Sequence, residues 1–200
     1  MNPMPTLDES ALDLLFLEAR TYPAMLATPV DDALLKCVYD LARMAPTAAN
    51  CQPLRVVFVK SAEARSRLEP CVDKGNVKKT MAAPVTAILA VDRQMADFMP
   101  RLFPAWPNFA ESWQKMPEAA REWMLAQNGS LQAGYFILAA RALGLDCGPM
   151  GGFNKEKLDA TFFPDGRFRS QLLVRLGYGD KTSLYPRGER LSAAEACRIE

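Results

Sequence analysis

Apolar side chains recur every three or four positions in two stretches near the start of the chain, residues 8–19 and 31–44. This spacing puts them on one face of a helix, so the pattern predicts an amphipathic helix in each stretch. Asp31 can cap the second helix, and Pro46 prevents its continuation. The apolar positions are Leu12, Leu15, Phe16 and Ala19 in the first stretch and Leu34, Leu35, Val38, Leu41 and Ala42 in the second.

Three further runs, residues 55–60, 85–91 and 171–176, predict strands, and the first two are apolar on both faces, which is typical of buried strands. Ser61 follows the first run and can cap a helix that begins there. Because helices outnumber strands without regular alternation, the pattern predicts an α+β sandwich and not a doubly wound sheet. We expect one domain that covers residues 1–200.

A long helix is predicted from about residue 118 to 143, since Pro117 suits a helix start and Gly144 a helix end. One stripe along it is apolar, and a flank of small residues beside the stripe would let another helix approach closely. The flank is either ordinary core or a contact between subunits. The stripe consists of Leu131, Tyr135, Leu138 and Ala142, and the flank of Ala133, Gly134, Ala139 and Ala140.

Composition excludes several classes of protein. The 24 Lys and Arg residues nearly balance 23 Asp and Glu residues, so no basic face is expected for nucleic acid or a membrane surface. Met1–Pro5 lacks the features of a signal peptide, and five cysteines without a C-x-x-C pair argue for free thiols. These features predict a cytoplasmic protein. Histidine is absent, which removes Ser-His-Asp and Cys-His catalysis and His-based metal sites, so a cofactor is expected to carry the chemistry and no metal is expected.

Residues 46–53 place a hydroxyl, Thr47, and two carboxamides, Asn50 and Gln52, on a loop bounded by Pro46 and Pro53. Carboxamides both donate and accept hydrogen bonds, so they match the edge of an uncharged planar ring such as a flavin. The alternative is that these residues only cap and turn a surface loop.

The glycine cluster at residues 144–152 is not a G-x-G-x-x-G dinucleotide motif and follows a helix. It is either a helix C-terminal turn or a backbone that lies against a flat ligand and donates an N–H to it. Arg20, Arg187 and Arg190 could clamp a phosphate, or could simply lie at the surface. The aromatic, proline-containing segment 98–123 is predicted to be mostly irregular, and is either a subunit contact or a lid over a ligand.

Taken together, these motifs resemble the FMN-dependent nitroreductase family, and most closely its malonic semialdehyde reductases of the Rut pathway of uracil degradation. The resemblance covers nearly the whole chain and depends on the order and spacing of its motifs. They are Ala19-Arg20-Thr21, Thr28-Pro29-Val30, Ala45-Pro46-Thr47-Ala48-Ala49-Asn50-Cys51-Gln52-Pro53, Gly75-Asn76, Ala83-Pro84-Val85-Thr86-Ala87, residues 141–153 and Gly177-Tyr178-Gly179-Asp180.

The resemblance implies a three-layer sandwich with a central mixed sheet flanked by helices, in a homodimer that holds two FMN molecules at the subunit interface. It implies ping-pong catalysis, in which NADH or NADPH reduces FMN and a small-molecule acceptor is reduced next. The acceptor would be malonic semialdehyde, reduced to 3-hydroxypropionate in pyrimidine degradation; the alternatives are general nitro or quinone reduction and, less favoured, flavin binding without catalysis.

The resemblance also implies roles for individual residues. The phosphate and ribityl chain would meet Arg20, Thr21, Arg187 and Arg190; the flavin would be lined by Pro46, Thr47, Asn50, Gln52 and Asn76; and the ring would lie against Pro149, Met150 and Gly151. No side chain is assigned a catalytic role, and the Gly151 N–H would approach N5 of the ring. Residues 22–26 lack the basic residue that many relatives carry there, and Gly151 stands where many have an acid.

A thiol enzyme that uses Cys51 or Cys147 is a separate alternative. It would need a lowered thiolate pKa, and neither cysteine has an adjacent cation in the sequence.

Overall fold

The computed structural model describes residues 6–200, and four strands form its sheet. The strands are Leu54–Val59 (β1), Val85–Asp92 (β2), Asp146–Met150 (β3) and Phe168–Gly177 (β4), and their order across the sheet is β1-β2-β4-β3. Every neighbouring pair is antiparallel, so the expectation of a mixed sheet is wrong for the described residues. β2 and β3 run in the same direction, but β4 lies between them and runs in the opposite direction, so no two parallel strands are neighbours.

Helices cover both faces of this sheet. They are Glu9–Leu12 (α1), Asp32–Ala42 (α2), Ala62–Leu68 (α3), Lys74–Ala82 (α4), Met99–Leu102 (α5), Phe109–Lys115 (α6), Glu118–Ala142 (α7), Lys155–Phe162 (α8) and Ala193–Ala196 (α9). Short 3-10 turns occupy Ala48–Asn50, Glu69–Cys71, Met95–Phe98 and Lys181–Ser183, and α1 continues as one π-helical turn, Asp13–Leu17. The first predicted helix is therefore α-helical only through Leu12.

The predicted helix ends are confirmed at three places. The Asp31 carboxylate accepts from the Ala33 N–H, and the Ser61 hydroxyl accepts from the Ala64 N–H, so both side chains cap a helix start. At the end of α7, Gly144 has a φ of 79°, which a residue with a Cβ rarely adopts. The Leu145 N–H then donates back to the Ala140 carbonyl at 2.9 Å and closes the helix.

The three layers are held by two hydrophobic clusters, which confirms the α+β sandwich. On one face of the sheet, α2 and α7 pack against alternate residues of the strands. On the other face, α3, α4 and α8 pack against the intervening residues. Both faces of β2 are covered, and each of its eight residues is buried, as its uninterrupted apolar run indicates.

The structure decides which way the faces of α7 point. Three of the four small residues of the flank, Ala133, Ala139 and Ala140, are buried against the sheet and belong to the core of the chain, whereas Gly134 is exposed. The apolar stripe points outward instead, with Leu131 47% and Tyr135 43% exposed. Two other buried residues on the inner face, Asn128 and Gln132, carry polar carboxamides. Their burial is tolerated because each side chain accepts a hydrogen bond from the main chain of another segment.

Among the described residues, six helices and strands lie where none was predicted: β3, α4, α5, α6, α8 and α9. β3 contains Gly148 and Pro149, both poor strand residues, and it exists because it pairs with β4 at the edge of the sheet, where a proline is tolerated. α4 and α8 have weak apolar patterns and depend on packing against the second face. The glycine cluster is thus a helix-ending turn followed by an edge strand.

The prediction that the aromatic segment 98–123 is mostly irregular is wrong, because most of it is helical: it contains α5, α6 and the start of α7, and its prolines lie in the turns between them or in the first turn of a helix. Phe109 and Trp113 are buried and stack with ring centroids 6.1 Å apart, whereas Trp106 and Trp123 are exposed. Across residues 6–200, no helix is both long enough and apolar enough to span a membrane.

Candidate functional site

The loop between α2 and β1 is held in a strained conformation. Ala49, Asn50 and Gln52 all have positive φ values, 49°, 54° and 41°, although none is glycine. Left-handed conformations of such residues cost on the order of 1 kcal/mol or more each and occur often at binding sites. The strain is maintained from α7, where the buried Asn128 carboxamide accepts from the Ala48 N–H at 2.8 Å.

Carboxamides of the same loop bind one another. The Gln52 Nε2 donates to Asn50 Oδ1 at 2.8 Å, and the Asn50 Nδ2 donates to the Leu102 carbonyl of α5 at 3.0 Å. Thr47 Oγ1 accepts from the Gln52 N–H at 3.2 Å. These bonds orient Thr47, Asn50 and Gln52 toward one cavity of about 420 Å³, which Pro46 also lines. We call these four residues the loop group.

A second group forms where β3 ends beside α4. The Asn76 Nδ2 donates to the Gly152 carbonyl at 3.0 Å, and the Asp73 N–H donates to the same oxygen at 3.1 Å. The Thr80 hydroxyl donates to the Asn76 carbonyl at 2.8 Å and lies 3.6 Å from the Met150 sulfur. The structure therefore places Asn76 beside the end of β3, in the segment that contains Pro149, Met150 and Gly151. Pro149 and Gly151 are exposed, so the strand end is accessible to a ligand.

Arginines of the predicted phosphate anchor join the two ends of the chain. Arg20 donates to the Tyr185 carbonyl at 2.6 Å, and Arg187 donates to the carbonyls of Leu17 and Ala19, the latter at 3.3 Å. The structure thus brings Arg20 and Arg187 into one place, and exposed Thr21 follows directly. Arg190 bonds only to the nearby carbonyls of Gly188 and Glu189, so no described contact joins it to the others.

The anchor and the strand end belong to one side of the molecule because Arg175 connects them. This residue of β4 donates to the Tyr22 carbonyl at 3.0 Å, next to Arg20 and Thr21, and to the Lys79 carbonyl of α4 at 3.5 Å. We call Arg20, Thr21, Asn76, Pro149, Met150, Gly151 and Arg187 the strand-end group.

The two groups lie at opposite edges of the sheet. The loop group leads into β1 at one edge, and the strand-end group follows β3 at the other. Three strand spacings separate these edges, which amounts to about 14 Å. No hydrogen bond between described residues links the two groups. One chain therefore does not assemble the full predicted set of residues around a single ring.

Electrostatics of the cysteines argue against a thiol enzyme. Burial raises the pKa of Cys51 to about 11 and that of Cys147 to about 12. Both thiols are therefore protonated at neutral pH, whereas a nucleophilic cysteine needs a thiolate. Within residues 6–200, no cluster of three or more cysteine, aspartate or glutamate side chains could hold a metal ion.

Three supporting residues were missed from sequence: Asn128, Gln132 and Arg175. For Asn128 and Gln132 the available signal was their spacing, because carboxamides four residues apart on the inward face of a helix predict hydrogen bonds to neighbouring segments. Gln132 accepts from the Leu54 N–H at 2.9 Å, at the start of β1. For Arg175 the available signal was that a charged residue interrupts the otherwise apolar run 171–176.

Comparison with known proteins agrees with this architecture. The nitroreductase family profile matches residues 19–178. A Ralstonia nicotianae protein named "Putative NADH dehydrogenase/NAD(P)H nitroreductase" is 52% identical over 196 residues, which cover 98% of this chain and 100% of that protein.

Two solved structures share the fold. A nitroreductase family protein from Streptococcus pneumoniae superposes with a TM-score of 0.82 at 24% identity, over 92% of this chain and 100% of that one. A protein from Exiguobacterium sibiricum, solved in complex with FMN, gives a TM-score of 0.85 at 18% identity, over 98% and 99% of the two chains. With the profile match over most of its length and a relative of this identity, the chain belongs to the nitroreductase family.

Proposed function

We propose that this protein is an FMN-dependent NAD(P)H oxidoreductase, a single-domain, cytoplasmic homodimer that reduces a small aldehyde such as malonic semialdehyde. Family membership supports the reaction class, and the FMN complex of the Exiguobacterium sibiricum protein supports the cofactor. The observation that carries the proposal is the strand-end group, where exposed Pro149 and Gly151 lie beside Asn76.

The strand-end group fits a flat, anionic ligand. A Cβ built on Gly151 would meet no atom within 4 Å, so the surface beside this residue is open to a ring. A Cβ on Gly152 would stand 2.1 Å from Asn76 Nδ2, so the absence of a side chain there is what lets Asn76 hold the strand end. Arg20, Arg175 and Arg187 supply positive charge to the same side.

When bound, FMN would accept a hydride from NAD(P)H and pass two electrons to the acceptor. The residues of the chain bind and orient it. Arg20 and Arg187 would hold the phosphate, since the guanidinium fork suits that group. Pro149 and Met150 would lie against the ring, and the Gly151 main chain would offer an N–H to it. No protein nucleophile is needed, which agrees with the absence of histidine and with protonated Cys51 and Cys147.

A second copy of the chain would complete the site. The loop group cannot reach the strand-end group of its own chain, so in the proposed dimer it would face the strand-end group of the partner. Exposed apolar side chains supply a surface for such a partner. They lie on the π-helical turn after α1 (Leu14, Phe16, Leu17), on α2 and the turn that follows it (Leu41, Met44), and on α7 (Leu131, Tyr135).

The reaction is tested by anaerobic reduction of the FMN-loaded protein. NADH or NADPH should bleach the visible flavin absorption, and malonic semialdehyde should restore it. Restoration by quinones or nitroaromatics but not by the aldehyde would favour a general reductase. Flavin that binds but is not bleached by either nicotinamide would contradict the proposed activity and leave a flavin-binding protein.

The composite site predicts a linked effect of Leu131→Asp. Leu131 is exposed in one chain, so the folded subunit should tolerate aspartate, but a charge buried at a dimer contact is strongly unfavourable. We expect monomers that retain helical content and lose at least tenfold in FMN affinity. Sedimentation and flavin fluorescence titration measure both.

Ala119→Asp is the matched control, because it adds the same charge at an exposed position on another face of α7. This variant should remain dimeric and retain FMN. A monomeric Leu131→Asp protein with undiminished FMN affinity would show that the site does not need two chains.

A further inference from the structure

Arg175 is a buried cation without a counter-charge. Only 3% of its surface is exposed, and its guanidinium donates to main-chain carbonyls alone: Tyr22 at 3.0 Å, Pro23 at 3.4 Å and Lys79 at 3.5 Å. Its Nε has no hydrogen-bond partner among the described residues. Burial lowers its pKa from the usual value, and no nearby carboxylate opposes this effect. Such a group lowers stability unless something offsets its charge.

The position of Arg175 places this charge beneath the strand-end group. Arg175 pairs in the sheet with Gly148, one residue before Pro149. A Cβ on Gly148 would stand 2.6 Å from Arg175 Nη2, so the guanidinium lies directly against the main chain of β3. The carbonyls that it binds belong to the segment after Arg20 and to α4, one turn beyond Asn76. Three of the four segments that make up the group therefore meet at this side chain, and the fourth, which carries Arg187, has no described contact with it.

We propose that Arg175 is a positioning residue whose buried charge favours the reduced, negatively charged form of a flavin ring bound at the strand-end group. This inference rests on the proposed function. A hydride brings two electrons and one proton to the ring, and the ring gains one negative charge unless it also takes up a proton from solvent. A fixed cation in a medium of low dielectric stabilises that added charge without touching the ring.

Residues 22–26 carry no basic side chain of their own, but their main chain at Tyr22 and Pro23 is bound by a guanidinium from β4. The positive charge would then come from beneath the segment and not from within it. It would act on both states of the ring, but more strongly on the charged one.

The test is the flavin midpoint potential of the holoprotein with Arg175→Met, a neutral side chain of similar length. We expect the ratio of affinities for reduced and oxidised FMN to fall about tenfold. For a two-electron couple this lowers the midpoint potential by about 30 mV. Arg175→Lys retains the charge and should recover most of the wild-type potential.

Arg169→Met is the matched control, since it removes an arginine from the same strand. Arg169 is about half exposed and pairs with Glu122, so its loss should leave the potential unchanged. If Arg175→Met does not fold, Arg175→Gln keeps a donor for the Tyr22 carbonyl and removes only the charge. The same fall in potential is expected for it.

Two results would overturn the inference. A purely structural role predicts that Arg175→Met lowers the melting temperature of the apoprotein and weakens oxidised and reduced FMN equally, with no change in potential. A phosphate-binding role predicts weaker FMN binding, unchanged riboflavin binding and an unchanged potential. Failure of the proposed function itself gives a different result, because the wild-type protein would then bind no FMN. Titration of the wild-type protein with FMN tests this before any variant is compared.

Discussion

Replacing Asp92 with alanine is expected to lower the free energy of unfolding by about 3 kcal/mol, the lower end of the range for breaking a buried ion pair. Asp92 ends β2, and its side chain is fully buried. It accepts from Arg55 at 2.8 Å and from two nitrogens of Arg167 at 3.0 Å each. Both guanidinium groups also lie over the Phe98 ring, at 5.0 and 5.6 Å from its centroid.

The lower end of the range applies because the Arg55 and Arg167 side chains are 25% and 29% exposed, so water would partly solvate the charges left behind. Chemical denaturation of the apoprotein measures the change. Asp97→Ala is the control, since Asp97 is 62% exposed and 3.7 Å from Arg167 and should contribute about 1 kcal/mol or less. Equal losses in the two variants would mean that the buried network does not stabilise the fold.

The ion pairs of Asp92 with Arg55 and Arg167 also contact the end of the loop that carries the loop group. The Asp92 N–H donates to the Pro53 carbonyl at 2.8 Å, and Arg55 donates to the Gln52 carbonyl at 3.0 Å. The end of the strained loop is therefore tied to the same ion pairs. In Asp92→Ala we expect FMN affinity to fall together with stability.

Gly152→Ala is expected to reduce FMN affinity at least tenfold while changing the stability of the apoprotein less. The added Cβ would lie 2.1 Å from Asn76 Nδ2 and 3.1 Å from Asp73 Oδ2, so the Asn76 side chain must move away. The hydrogen bond that holds the strand end beside α4 is then lost. Titration of the apoprotein with FMN, followed by flavin fluorescence, measures the effect.

A double-mutant cycle separates this cause from a general disturbance. In an Asn76→Ala background the clash with Nδ2 no longer exists, so adding Gly152→Ala should have little further effect on FMN affinity. If the two losses simply add, the alanine at position 152 acts independently of Asn76. That result would contradict the assigned role of their contact.

Local pattern and chemistry determined much of this protein. Continuous apolar runs predicted β1, β2 and β4, because a strand covered on both faces has no polar side. Asp31, Ser61 and Gly144 marked helix ends through geometry that depends on a few neighbouring residues. The absence of histidine and the order of short motifs led to a flavin cofactor and to the family, since these are properties of composition and spacing.

Only the tertiary structure decided how distant segments meet. β3 forms by pairing with β4, although it contains Gly148 and Pro149. The apolar stripe of α7 faces outward, because the sheet packs against the opposite face of the helix and leaves Leu131 exposed. The strand order puts the loop group and the strand-end group at opposite edges, and the fold buries Arg175 beneath one of them. The physical reason is that these contacts join residues far apart in the chain, and local propensity contains no information about them.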